Sequence, residues 1–116
     1  MHFKLIIALT EDSITEKVVE AARNKGATGS TVISSARGEG MQVAKTFLGL
    51  SLETQRDVVL LLVEEHMCRD ILESIEATGE FEANPGSGIA FSIDVEDAVG
   101  VMQQVNQLSG IVEEEI

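Results

Sequence analysis

The chain contains no tyrosine and no tryptophan, and its four phenylalanines form no stacking pattern. Modules that recognise RNA by stacking bases on exposed aromatic rings are therefore disfavoured. Basic residues are also scarce. Eight Lys and Arg stand against 20 Asp and Glu, for a formal net charge of −12. A field of that sign repels nucleic acid and anionic membrane surfaces, so neither is an expected partner. It also opposes polyphosphate unless local cations offset it. Long apolar runs are missing too: the longest is Val58 to Val63, far short of the roughly 20 residues that span a bilayer. No direct membrane insertion is expected. The single Cys68 excludes an internal disulfide and fits a reducing compartment. Met1 to Ala8 has some character of a signal sequence, but Glu11 and Asp12 follow at once without a convincing cleavage site. It reads as the first strand of a cytoplasmic protein.

At 116 residues, one compact domain with a modest core is the default. Two glycine-rich turns stand out. The β-type run Thr31 to Ala36 leads into Arg37-Gly38-Glu39-Gly40, and Asn84-Pro85-Gly86-Ser87-Gly88 leads into the alternating run Ile89, Phe91, Ile93, Val95. Exposed N–H groups in such turns can cradle phosphate or carboxylate, so the two can wall one anion-binding cleft. Alternatively both are ordinary turns, where glycine is expected anyway.

Along the chain, Lys4 to Leu9 predicts a strand. Ser13-Ile14-Thr15-Glu16 has the S-x-x-E form of a capping box. Ile14, Val18, Ala21 and Ala22 then make one helical face, and Gly26 is a helix stop. Thr31 to Ala36 predicts the next strand. From Gly38 to Gln55 the apolar residues settle into no single period, which suits a short helix, a partner-binding loop or a subunit contact. Asp57 to Val63 reads as a buried strand. Met67, Ile71, Leu72 and Ile75 mark a second helix that Gly79 ends.

The order is β-α-β-β-α-β, the ferredoxin-like α+β arrangement with an antiparallel sheet. Both helices then lie on one face. The opposite face, assigned Val32, Ser34, Ala90 and Ser92, needs cover, and a symmetric oligomer would supply it. Beyond Val95, residues Ala98, Val99, Met102 and Val105 fit helical spacing, while Ala98 to Val101 also suits a short strand. Glu113 to Glu115 reads as a solvated tail.

No constellation for catalysis emerges. His66 and Cys68 are two residues apart and point to different helix faces. Cys68 reads as a small core residue, His2 and His66 as exposed, and Glu64 and Glu65 as helix-start charges that favour the helix dipole. The chain is therefore not expected to be an enzyme.

Three stretches resemble the PII nitrogen-regulatory signalling family. Gly29-Ser30-Thr31-Val32 with Gly38-Glu39-Gly40 resembles its strand ending in G-F-G-R. Thr78-Gly79-Glu80-Phe81 with Gly86-Ser87-Gly88-Ile89-Ala90-Phe91 resembles its T-G-x-x-G-D-G-K-I-F segment. Val95-Glu96-Asp97-Ala98-Val99 resembles its V-E-D-V-V stretch. The resemblance runs from Phe3 to about Met102. It implies a homotrimer with nucleotide clefts between subunits and a loop that docks on a membrane transporter or metabolic enzyme. It places a PII-like domain at 1–102, the loop at about 38–55 and a C-terminal extension at 103–116. Thr31, Gly38 and Gly40 would face Gly86, Ser87 and Gly88 across the cleft. Arg37 and Lys45 would assist an anion, and Phe47, Leu48 and Leu50 would meet the partner.

The departures concern charge. The family's lysine after the second glycine turn is Ile89 here. Its two later arginines fall on Gly100 and Met102, and the arginine of G-F-G-R falls near Met41. Charge-assisted bonds to phosphate are the strong ones, so AMP or ADP is easier to accommodate than ATP, and bicarbonate is another ligand to consider. Arg37, Lys45 and Arg56 are the cations available to compensate. The tyrosine modified on the family's loop has no counterpart. Two rivals remain: a CutA-like metal-binding trimer using His2, His66, Cys68 and surface carboxylates, and a structural subunit that binds nothing.

Overall fold

The computed structural model describes residues 1–34, 46–47, 50–51 and 56–115. Strand β1 (Phe3–Glu11) is followed by helix α1 (Thr15–Asn24) and strand β2 (Thr31–Ile33). Two short strands, β3 (Thr46–Phe47) and β4 (Leu50–Ser51), precede β5 (Arg56–Glu64). Helix α2 (Glu65–Gly79), strand β6 (Ile89–Asp94) and helix α3 (Met102–Glu115) complete the order. The main sheet runs β2-β5-β1-β6 with every neighbouring pair antiparallel. This is the ferredoxin-like order, with a small hairpin and a terminal helix added.

The core forms where the inner face of the sheet meets α1 and α2. Ile6, Ala8, Val59, Leu61 and Val63 pack with Val18, Ala22, Met67, Cys68, Ile71 and Ile75. Cys68 is buried, as its apolar surroundings require. Ser74 Oγ also donates to Ala21 O across the two helices, at 3.4 Å.

Helix α1 stops as the sequence predicts. Gly26 takes φ +112, Gly26 N–H donates to Arg23 O, and Ala27 N–H donates to Ala22 O, both at 3.1 Å. That pair of bonds is a Schellman stop. The start differs. The N-cap is Ile14, already near helical geometry, and no side chain caps it. The Ser13–Glu16 capping box is therefore not formed. Instead Ile14 N–H donates to Glu11 O at 3.0 Å, and the Thr15 hydroxyl bonds both Glu11 O and Thr10 Oγ1. The turn out of β1 shifts the cap by one residue.

Helix α2 ends at Gly79, as expected, but by a different device. The left-handed residue is Glu80, at φ 52, whereas Gly79 is still helical. Gly79 serves a different need: a Cβ there would collide with the Phe81 ring.

The two faces of the sheet are the reverse of the sequence assignment. Val32 pairs with Val59 and Ala90 with Ala8, and both partners lie in the helix-side core. Val32, Ser34, Ala90 and Ser92 thus belong to the helix side. The opposite face carries Leu5, Ile7, Leu60, Leu62, Phe91 and Ile93, which meet in the register Leu5↔Leu62, Ile7↔Leu60, Leu5↔Ile93 and Ile7↔Phe91. Alternation separates two faces but does not say which one meets a helix.

The expected strand to Ala36 ends at Ile33; Ser34 is outside it, and 35–36 lie beyond the described residues. Residues 98–101 form neither the helix nor the strand considered for them, and α3 begins at Met102. Its Leu108 is fully buried against the core, and Val101 and Val105 are partly buried there.

Candidate functional site

One end of the sheet gathers the relevant elements. Glu11, at the end of β1, pairs with Arg56 at the start of β5. Leu9 pairs with Ile89 at the start of β6, and Ile33 at the end of β2 pairs with Val58. The segment between β2 and β5 is therefore rooted beside the turn that precedes β6.

That turn is Asn84-Pro85-Gly86-Ser87. Proline presets the second position, Gly86 supplies φ +85 at the third, and Ser87 N–H closes on Asn84 O at 3.0 Å. This is the residue pattern of a type II turn. Gly88 then leads into the strand, with no room for a side chain because the Phe81 ring occupies the space of its Cβ.

Arg56 holds the turn from beneath. It is 2 % exposed. Its Nη2 donates to Gly86 O at 2.8 Å and its Nη1 to Ser87 O at 2.5 Å. Glu11 Oε1 lies 3.8 Å from Nη1. A planar guanidinium suits two acceptors on consecutive residues, whereas a lysine ammonium is a point donor. In the sequence Arg56 stands out only as a cation available to compensate for the family's missing ones. The available signal was its position, one cation at the head of an apolar strand; its partners lie 30 residues or more away in the chain and were not legible.

The structure does not place all predicted site residues in one cavity. Gly86 and Gly88 border a groove of about 610 Å³ beside α2, shared with Phe81, Ile89, Glu73 and Glu76. Glu73 and Glu76 line its α2 wall, where Arg69 is paired with Glu73 at 3.0 Å. Thr31 borders a separate recess of about 290 Å³ with Ser30, Leu60, Leu62 and Gln104. Since β2 and β6 are opposite edges of the sheet, three strand spacings, about 14 Å, separate them. Arg37, Gly38, Gly40, Lys45 and Leu48 lie outside the described residues. Phe47 pairs with Leu50, and Thr46 with Ser51, in the β3–β4 hairpin, so the short helix considered for 38–55 is not present at these four residues.

The metal-binding rival gains a different cluster from the one expected. Cys68 is buried, and His2 sits 3.6 Å from Asp94. Glu64, Glu65 and His66 instead bring potential ligand atoms within 4.8 Å. The Glu64 carboxylate already has a structural task. It caps α2 by accepting from His66 N–H at 2.8 Å and bonds His66 Nδ1 at 2.5 Å. Among the described residues no helix is long and apolar enough to cross a membrane.

Residues 3–104 match the family described as Nitrogen regulatory protein P-II. The chain belongs to this family. P-II proteins are signalling regulators rather than enzymes, in line with the absence of a catalytic constellation in the sequence. Several solved P-II-like structures share the fold. CPII from Thiomonas intermedia K12, bound to ADP, AMP and acetate, superposes with a TM-score of 0.64 at 18% identity, over 86% of this chain and 92% of that one. The same protein bound to ADP, AMP and bicarbonate gives 0.62 at 18% identity, over 87% and 96%. A putative PII-like signaling protein from Thermus thermophilus gives 0.56 at 23% identity, over 82% and 87%. No curated protein matches the sequence.

Proposed function

We propose that this P-II protein is a cytoplasmic homotrimer that senses AMP or ADP and controls a transporter or metabolic enzyme through its loop at about 38–55. The observation that carries this reading is the Arg56-held turn at Gly86–Gly88, beside the root of that loop. A ligand at the turn lies close to the chain that leads to the docking element. Thr31, at the other edge of the sheet, faces the same ligand only if a second subunit supplies one of the two walls. The half-exposed Ile33 and Ile93, on the two edge strands, give the sheet face opposite α1 and α2 apolar margins that a second and third copy would bury. Ligands seen with CPII, namely ADP, AMP, acetate and bicarbonate, set the probes. Arg37 and Lys45 are assigned to the anion, and Phe47, Leu48 and Leu50 to the partner. Residues 103–116 form an extension of the 1–102 domain.

Calorimetric titration with AMP, ADP and ATP, each with and without bicarbonate, tests the reading. Saturable binding near one nucleotide per subunit, with AMP or ADP ahead of ATP, is expected. No heat with any of them would overturn it. The Glu64–Glu65–His66 cluster favours a second reading, a metal-binding trimer. A thermal midpoint that rises with added Zn²⁺ and not with nucleotide would select that one.

A further inference from the structure

Planarity of the peptide group gives Arg56 a second consequence. No peptide bond among the described residues is cis. In a trans peptide the carbonyl and the following N–H point in opposite directions. Gly86 O and Ser87 O both point to the Arg56 guanidinium. The N–H groups of Ser87 and Gly88 therefore point away from it. Ser87 N–H is taken up by Asn84 O, which closes the turn. Gly88 N–H makes no turn or loop hydrogen bond among the described residues.

The orientation decides what the turn can accept. With its carbonyls drawn back, it presents an N–H donor, the requirement for binding an anion. With either peptide flipped, it would present a carbonyl oxygen and repel the same group. The Asn84–Ser87 bond holds the 86–87 peptide, but no bond within the turn holds the 87–88 peptide, which glycine at 88 leaves free to flip, so a group outside the turn must select the orientation there. The buried fork of Arg56 does this by bonding both oxygens at once.

We propose that Arg56 is the positioning residue of this turn, fixing the peptide orientation that lets Gly88 N–H meet the phosphoryl group of a bound nucleotide. The guanidinium itself stays behind the backbone, turned to the two carbonyls and to Glu11. This inference rests on the nucleotide-sensing function proposed above and adds the residue that makes the turn competent for phosphate.

Adenosine and AMP separate a positioning role from a merely structural one, because only AMP carries the phosphoryl group. In Arg56→Lys, AMP affinity is expected to fall about tenfold, the scale of one hydrogen bond to a charged group, while adenosine affinity stays as in the parent. Equal loss for both ligands, or an unchanged ratio, would overturn the proposal. Glu11→Gln leaves the fork on its carbonyls and is expected to keep the parent ratio; a fall matching that of Arg56→Lys would also overturn it. One measurement needs no variant: the Gly88 amide resonance of the parent should shift with AMP and not with adenosine, and the absence of that difference refutes the contact. If the parent binds neither ligand, the proposed function fails, and amide exchange without ligand then tests the clamp alone. Arg56→Lys should speed exchange at Ser87 about tenfold relative to Val59 in the core; an unchanged ratio overturns the clamp.

Discussion

The edge of the Phe81 ring lies where a Cβ on Gly88 would stand, and the same ring edge fills the Cβ position of Gly79. Phe81 is buried at the junction of α2, the Gly86–Gly88 turn and β6. Two glycines far apart in local role are thus required by one side chain. The ring ties the end of the helix to the entrance of the strand and sets how closely the turn approaches α2.

Gly88→Ala is expected to destabilise the fold by about 1–3 kcal/mol, the usual cost of overpacking. Combined with Phe81→Leu, the loss should be smaller than the sum of the two single changes, since they share one contact. Urea unfolding of the two single variants and the double variant measures the coupling. Strict additivity would show that the ring and Gly88 are independent.

Glu64 is almost wholly buried and caps α2 through His66 N–H. Glu64→Ala is expected to lose at least about 1–2 kcal/mol, from the missing cap. Glu64→Gln should lose less, because its amide oxygen still accepts from the helix. Chemical denaturation ranks the variants. Equal losses would mean that charge, and not the cap, governs the site.

Leu108 is buried, although it lies beyond the six ferredoxin-like elements. Leu108→Ala is expected to cost about 2–4 kcal/mol, the range for deleting a buried leucine side chain. A change near zero in the unfolding midpoint would show that α3 does not pack on the domain in solution.

Lys4 and Asp94 face each other across β1 and β6 at 3.1 Å. The hydrogen bond and charge of Lys4 hold Asp94 below its ordinary value of 3.8, and Asp94 raises Lys4 above 10.5. The carboxylate contribution is present above its unfolded value and is lost as pH falls through the lowered one. The lysine contribution is present below its unfolded value and is lost as pH rises through the raised one. The melting temperature of the parent should therefore exceed that of Asp94→Asn by a small, salt-sensitive margin at neutral pH. The margin should vanish at both pH extremes. A gap that persists in strong acid would assign it to packing.

Much of this protein was legible locally. Apolar spacing located α1, β5, α2 and β6 to within a few residues, because helix and strand periods are short-range properties. Gly26 marked the Schellman stop, since the motif needs a left-handed residue just past the helix. The family resemblance followed from three short stretches in order. Several local expectations nevertheless yielded to packing. Ser13 does not cap α1 because the turn from Glu11 places Ile14 in the cap, and Gly79 is retained for the Phe81 ring while Glu80 takes the left-handed turn.

The sequence by itself determined the order of the four main strands and first two helices, the acidic field and the positions where backbone freedom is needed. Tertiary structure alone decided which face of β2 and β6 meets the helices, since period-two alternation is identical under a flip of the strand. It also decided that Arg56 reaches Gly86 and Ser87, and that Leu108 returns to the core. Contacts between residues far apart in the chain depend on register and packing, and neither leaves a local period to read.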